Sequence, residues 1–199
     1  MATIRNLCTR CIVLDKGRLI YDGDVETAIA KYMESAETGL SNKFDFSNME
    51  RTAEGYASRF KLKSLEFIDR ELPIYKNVEK MRFRIEWEGI KTIDDVRMRL
   101  EIKYADGTTV GMAESKVFAS IREKETGSNL FEFDLKNLAT GNYHFRVSFF
   151  VLNSMGVHTG LDDAPIKISF SVIDSLEDHT RWLRQYWGSV RFDDIVVVD

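Results

Sequence analysis

Two stretches of strict two-residue alternation constrain this chain more than any other feature. In KMRFRIEWE, residues 80–88, Met81, Phe83, Ile85 and Trp87 fall on one side of an extended backbone and Arg82, Arg84 and Glu86 on the other. VRMRLEIKY, residues 96–104, repeats the pattern with Val96, Met98, Leu100, Ile102 and Tyr104. Successive side chains of a strand point to opposite faces, so each stretch has one buried face and one wet face. Helical apolar positions recur every three to four residues, so the same pattern disfavours helix.

Further strands are predicted over 60–67, 129–135, 143–152 and 165–172, and Ala105-Asp106-Gly107 turns the chain into TTVGMAES, the seventh. Short strands, frequent turn signals and only 2 prolines predict an immunoglobulin-like antiparallel β-sandwich. Beyond Asp174, LEDHTRWLRQYW reads as a helix or irregular lid. SVRFDDIVVV then reads as a last strand, over 189–198.

The front of the chain is different. Residues 12–14 and 19–21 are short apolar runs around Lys16-Gly17, and Asp24 stands where a helix N-cap belongs, before Val25, Ala28, Ile29 and Tyr32 at helical spacing. Two strands, this helix and a short one expected over Thr3 to Thr9 cannot bury enough surface to stand alone. The expected organisation is a small α/β unit over 1–37, a Gly-, Ser- and Asn-punctuated linker over 38–58, and the sandwich over 59–199.

Composition narrows the function classes. With 28 basic and 32 acidic residues the net charge is −4, so the chain lacks the basic footprint of a nucleic-acid binder, and no nucleic-acid partner is expected. No window approaches the ~20 apolar residues of a spanning helix, and the amino terminus lacks a secretory pattern, which predicts a cytoplasmic protein. Cys8 and Cys11 lack a second ligand pair at zinc spacing, and His144, His158 and His179 lie far along the chain, so no metal or cofactor is expected. There is no GxxxxGK[ST] phosphate loop.

ATIRNLCTRCIVLDKGRLIYDGDVETAIAKYM nevertheless resembles the end of an ABC-transporter ATPase domain: a strand ending in Asp, a Lys-Gly turn, a strand ending near Gly, and a helix finishing in Tyr. Such a tail, then a linker and a β-sandwich with FIDRE, ADGTTVG and FDLKNLATGNYHFRVSFF in order, looks like the ATP-binding subunit of Wzt-type exporters of bacterial O-antigen polysaccharide. The resemblance implies a sandwich that recognises the glycan at its non-reducing end without catalysis. It also implies a homodimer, a membrane permease as partner and a place on the cytoplasmic side of the inner membrane. The 189–198 strand, apolar and set off by a long connector, is expected to be exchanged between the two copies.

The outward-facing residues of the alternating strands are the candidate carbohydrate-binding set: Arg82, Arg84, Arg97, Arg99, Glu101, His144, Arg146 and Phe150. Guanidinium and carboxylate groups match sugar hydroxyls or an anionic substituent, and an aromatic ring matches a sugar's apolar face. The alternative is a solvated face of cross-strand ion pairs, in a domain that couples or dimerises the exporter. The pairs Asp162-Asp163 and Asp193-Asp194 and the run Glu177-Asp178-His179 raise hydrolysis as a third reading, which needs two carboxylates converging across the fold. Trp182, Tyr186 and Trp187 are either a sugar platform or a staple for the tail.

Overall fold

The protein is described here from a computed structural model, covering residues 4, 7–15, 17–25, 27, 28, 32, 40–173, 182, 184–193 and 195. Its strands are β1 (Cys11–Asp15), β2 (Arg18–Gly23), β3 (Lys43–Asp45), β4 (Phe60–Phe67), β5 (Ile74–Lys76), β6 (Lys80–Gly89), β7 (Ile93–Tyr104), β8 (Thr109–Glu114), β9 (Ala119–Ile121), β10 (Thr126–Asp134), β11 (Gly141–Leu152), β12 (His158–Asp163) and β13 (Ile168–Ile173). The two alternating stretches become β6 and β7, and they lie in different sheets. A four-stranded sheet runs β10-β6-β4-β3, and a larger one runs β5-β13-β11-β7-β8, with β12 beside β11 and β9 beside β7.

The apolar sides of the two sheets face each other. Met81, Phe83 and Ile85 from β6 meet Phe145, Val147 and Phe149 from β11, all at most 1% exposed. The Phe149 ring sits 4.7 Å from Phe60, and Phe145 lies 6.2 Å from Phe67 and 6.0 Å from Phe83. Each such ring removed from water contributes about 1.5–3 kcal/mol. Tyr143, at the start of β11, donates its hydroxyl to the Ala139 carbonyl at 2.6 Å, the corner bond common in immunoglobulin-like sandwiches.

The expected sandwich and hairpin form, with one parallel strand pair, an earlier boundary and a defined turn. The sheets are not wholly antiparallel, because β5 runs parallel to β13 from Ser171↔Ile74 to Ile173↔Lys76. The 38–58 linker is part of the sandwich from Leu40 onward. Within it β3 pairs with β4, Phe46 is fully buried, and the Arg51 side chain is 7% exposed. Gly and Ser punctuation marked the turns correctly but hid the two anchors. The hairpin at Asp106-Gly107 is a type I turn closed by Gly107 N–H to Tyr104 O at 2.8 Å, with a positive φ of 85° at Gly107 alone.

At the front, β1 and β2 pair around the predicted turn, and Asp24 Oδ1 accepts from the Thr27 N–H at 2.9 Å as a helix cap. Val13, Val25 and Ala28 are buried there, while Leu7, Ile12, Leu14, Leu19 and Ile20 are exposed. At the far end a helical turn, Arg184–Trp187, docks through Arg184. Its guanidinium carbon lies 3.7 Å from the Tyr104 ring centroid and its Nη1 donates to Asp106 Oδ2 at 3.0 Å. Ser189 to Arg191 then pair with Asn137 to Ala139 of the same chain. Glu177, Asp178, His179, Asp194 and residues 196–199 lie outside the described residues, and no described helix is long and apolar enough to cross a membrane.

Candidate functional site

Pleating divides the eight candidate residues between two surfaces. Arg82 and Arg84 project from the smaller sheet, where Arg82 Nε donates to Glu132 Oε2 at 3.0 Å across the β6–β10 pair. The remaining six project from the outer side of the larger sheet, in rows set by the β7–β11 register: Arg97 opposite Phe150, Arg99 opposite Ser148, Glu101 opposite Arg146, and Lys103 opposite His144. Arg82 and Arg84 therefore cannot share one ligand face with the others.

Two of the six are covered. His144 is 7% exposed with no partner on Nε2, and burial, reinforced by Lys167 and Lys103, holds its pKa below the ordinary imidazole value. Phe150 is 3% exposed. The His158 ring stacks on it at 4.5 Å, and the Arg99 guanidinium carbon lies 5.0 Å from its centroid. A sugar ring has no access to Phe150 in this arrangement, so the expected aromatic platform is not there. His158 was not foreseen: β12 has no clean alternation, and only the β11–β12 register brings it over.

What remains is an arginine cluster held in place by acids. Arg99 donates to Glu114 Oε1 at 2.7 Å and to His158 Nδ1 at 2.5 Å. Arg97 keeps a buried Nε with no partner among the described residues. Arg146, its side chain 46% exposed, reaches from β11 to the fully buried Asp163 of β12. That hydrogen bond raises the guanidinium pKa, with the Asp163 and Glu101 charges adding to it.

The adjacent acids of LDD point to opposite sides of β12, Asp163 opposite Ser148 on the outside and Asp162 opposite Phe149 on the inside. Asp162 Oδ1 accepts from Arg51 Nε at 2.8 Å and Oδ2 from the Leu62 N–H at 2.7 Å. Burial raises the Asp162 pKa, against the pull of the Leu62 N–H and of Arg51. Both carboxylates thus hold arginines in separate environments, and they do not converge as hydrolysis requires. Trp182 donates to the Gly188 carbonyl at 2.7 Å and lies 5.6 Å from Trp187, so this pair ties the tail together. Among the described residues no cluster of three His, Cys, Asp or Glu could hold a metal ion.

Comparison with solved structures places the fold. The chain is similar to the C-terminal domain of Wzt, with a TM-score of 0.57 over 78% of this chain and 96% of that one, at 16% identity. A weaker likeness, at a TM-score of 0.38 and 11% identity, is to the CARDB domain of the PF1109 protein from Pyrococcus furiosus, solved with di-metal ions. No family model matches the sequence, and no curated protein matches it.

Proposed function

We propose that this chain is the glycan-recognition part of a bacterial polysaccharide ABC exporter and binds its polysaccharide, O-antigen-like and by the non-reducing end, without catalysis. The observation that carries this reading is Arg146, half exposed at the centre of the outer face and aimed by a fully buried carboxylate. On a fold shared with the C-terminal domain of Wzt, such a fixed donor fork suits sugar hydroxyls or an anionic substituent. Arg97, Arg99 and Glu101 flank it. In this reading the β1–β2 hairpin and the helix after it are the end of an ATPase domain. The full-length protein works at the cytoplasmic side of the inner membrane with a permease partner, as a dimer.

The test is titration calorimetry with the host's surface polysaccharide, released from lipid by mild acid. Arg146→Ala weakens binding by about 1–3 kcal/mol, the worth of a charge-assisted bond, in a chain that stays folded but melts lower, because the buried Asp163 loses its cation. Absence of binding by the wild-type chain would favour the alternative, a coupling and dimerisation domain with no glycan site. Unchanged affinity of the variant would move the site to the opposite sheet. There Asp45, Lys63, Glu86 and Ser128 line a shallow groove of about 590 Å³.

A further inference from the structure

We propose that the segment from Phe46 to Ala57 is a fixed wall of the glycan face, with Tyr56 as its stacking surface, Thr52 as a positioning residue for Arg146, and Arg51 as the latch that holds the wall. This rests on the glycan reading above.

The wall is anchored from beneath. Arg51 reaches under it to Asp162, and its Nη1 and Nη2 donate to the carbonyls of Phe46 at 2.9 Å, Met49 at 3.0 Å and Leu62 at 2.8 Å. Four of the five N–H groups of the guanidinium are used on backbone or carboxylate, so residues 46–51 have little freedom. The Ala57 N–H then bonds to the Leu161 carbonyl at 3.1 Å, tying the far end of the wall to β12. Between those anchors the side chains turn onto the outer face. Thr52 Oγ1 donates to Asp163 Oδ2 at 2.6 Å and accepts from Arg146 Nη2 at 2.9 Å. One hydroxyl thereby sets both members of the central ion pair.

Tyr56 lies against Gly160, where an added Cβ would stand 2.8 Å from its hydroxyl oxygen. It is partly exposed and lies over the same strand β12 that carries Asp163. The face thus offers, beside a cationic fork, the aromatic surface that covered Phe150 cannot. A ring with polar groups at one end and an apolar body matches a sugar with one C–H face and an edge of hydroxyls.

The experiment uses the full chain and the host's acid-released polysaccharide, read by calorimetry, by melting temperature and by amide hydrogen exchange. Thr52→Val and Tyr56→Ala each weaken binding about tenfold in chains that stay folded, Thr52→Val also melting lower because the buried Asp163 loses a donor, while Thr52→Ser and Tyr56→Phe retain both binding and stability. Amides of residues 52–57 exchange more slowly in the complex. Arg51→Lys, which cannot span the same acceptors, speeds exchange across 47–57 and weakens binding. If the wild type binds and Thr52→Val and Tyr56→Ala bind equally well, the wall is not part of the site and this inference fails alone. If the wild type does not bind, the glycan reading fails and takes this inference with it.

Discussion

Arg51 and Asp162 meet 2.8 Å apart, with their side chains 7% and 0% exposed, and join the segment entering the sandwich to the last outer strand but one. Removing one member strands the other. Arg51→Met leaves an ionised carboxylate and three carbonyls without their donor, which costs about 3–5 kcal/mol. Arg51→Met combined with Asp162→Leu recovers only the part due to the stranded charge, because the three carbonyls stay without a donor and the Leu62 N–H loses its acceptor. Urea unfolding of the two single variants and the double variant measures the coupling. Additive losses would mean the pair does not act as a unit.

A second prediction concerns the smaller sheet. The Trp87 ring covers Gly127 so closely that a Cβ there would stand 2.3 Å from the indole Cζ2. Trp87 is fixed by its own bond to Asn129 Oδ1 at 2.7 Å, so it cannot swing away freely. Gly127→Ala is expected to destabilise by about 1–3 kcal/mol, the range for overpacking, with loss of Trp87's native fluorescence environment. A neutral variant would show that β10 yields at this edge.

His144 supplies a pH dependence. Its pKa in the folded protein lies below the unfolded value near 6.5 because burial, then Lys167 and Lys103, oppose the charge. The unfolded chain therefore binds the proton first as pH falls. The stabilisation is complete above the unfolded pKa and is lost as pH drops below it toward the folded one. His144→Phe is expected to flatten the stability profile between neutral and mildly acidic pH. An identical slope in wild type and variant would assign the effect to other groups.

How much of this was legible beforehand follows the range of the interactions. Period-two alternation gave the long strands and their inward residues, since it depends only on neighbours two apart. Placing β6 and β7 in separate sheets depends on long-range pairing, which is why Arg82 and Arg84 were grouped with Arg97 and Arg99. The short strands β3, β5 and β9 carry too few residues for any period to show, and β12 has no clean alternation. Phe150 reads as a platform because its strand position faces outward. Its cover, His158, arrives by a register across β11 and β12 that no local pattern encodes. Thr52 and Tyr56 were hidden for a related reason: loop residues acquire a site through tertiary anchoring, here Arg51.

The final prediction concerns the tail. Phe192 is 86% exposed and Ile195 99% exposed, directly after Ser189 to Arg191 have paired with Asn137 to Ala139 of their own chain. An apolar, β-prone stretch in water seeks a sheet edge. The preceding residues are already held, so any exchange between copies begins after Arg191 and the crossing point is short. Exchange costs little in a two-fold dimer, because each copy gains the contact it gives. The full chain is therefore expected to be dimeric by light scattering, and deletion of Phe192 to Asp199 to yield a monomer whose sandwich still melts cooperatively. Deletion from Ser189 goes further, removing the Ser189 carbonyl that accepts from Ala139 N–H at 3.1 Å and from the Tyr143 hydroxyl at 3.3 Å. That shorter form is expected to be less stable as well as monomeric. A full chain that stays monomeric at micromolar concentration, or a Phe192 deletion that remains dimeric, would rule out the exchanged tail.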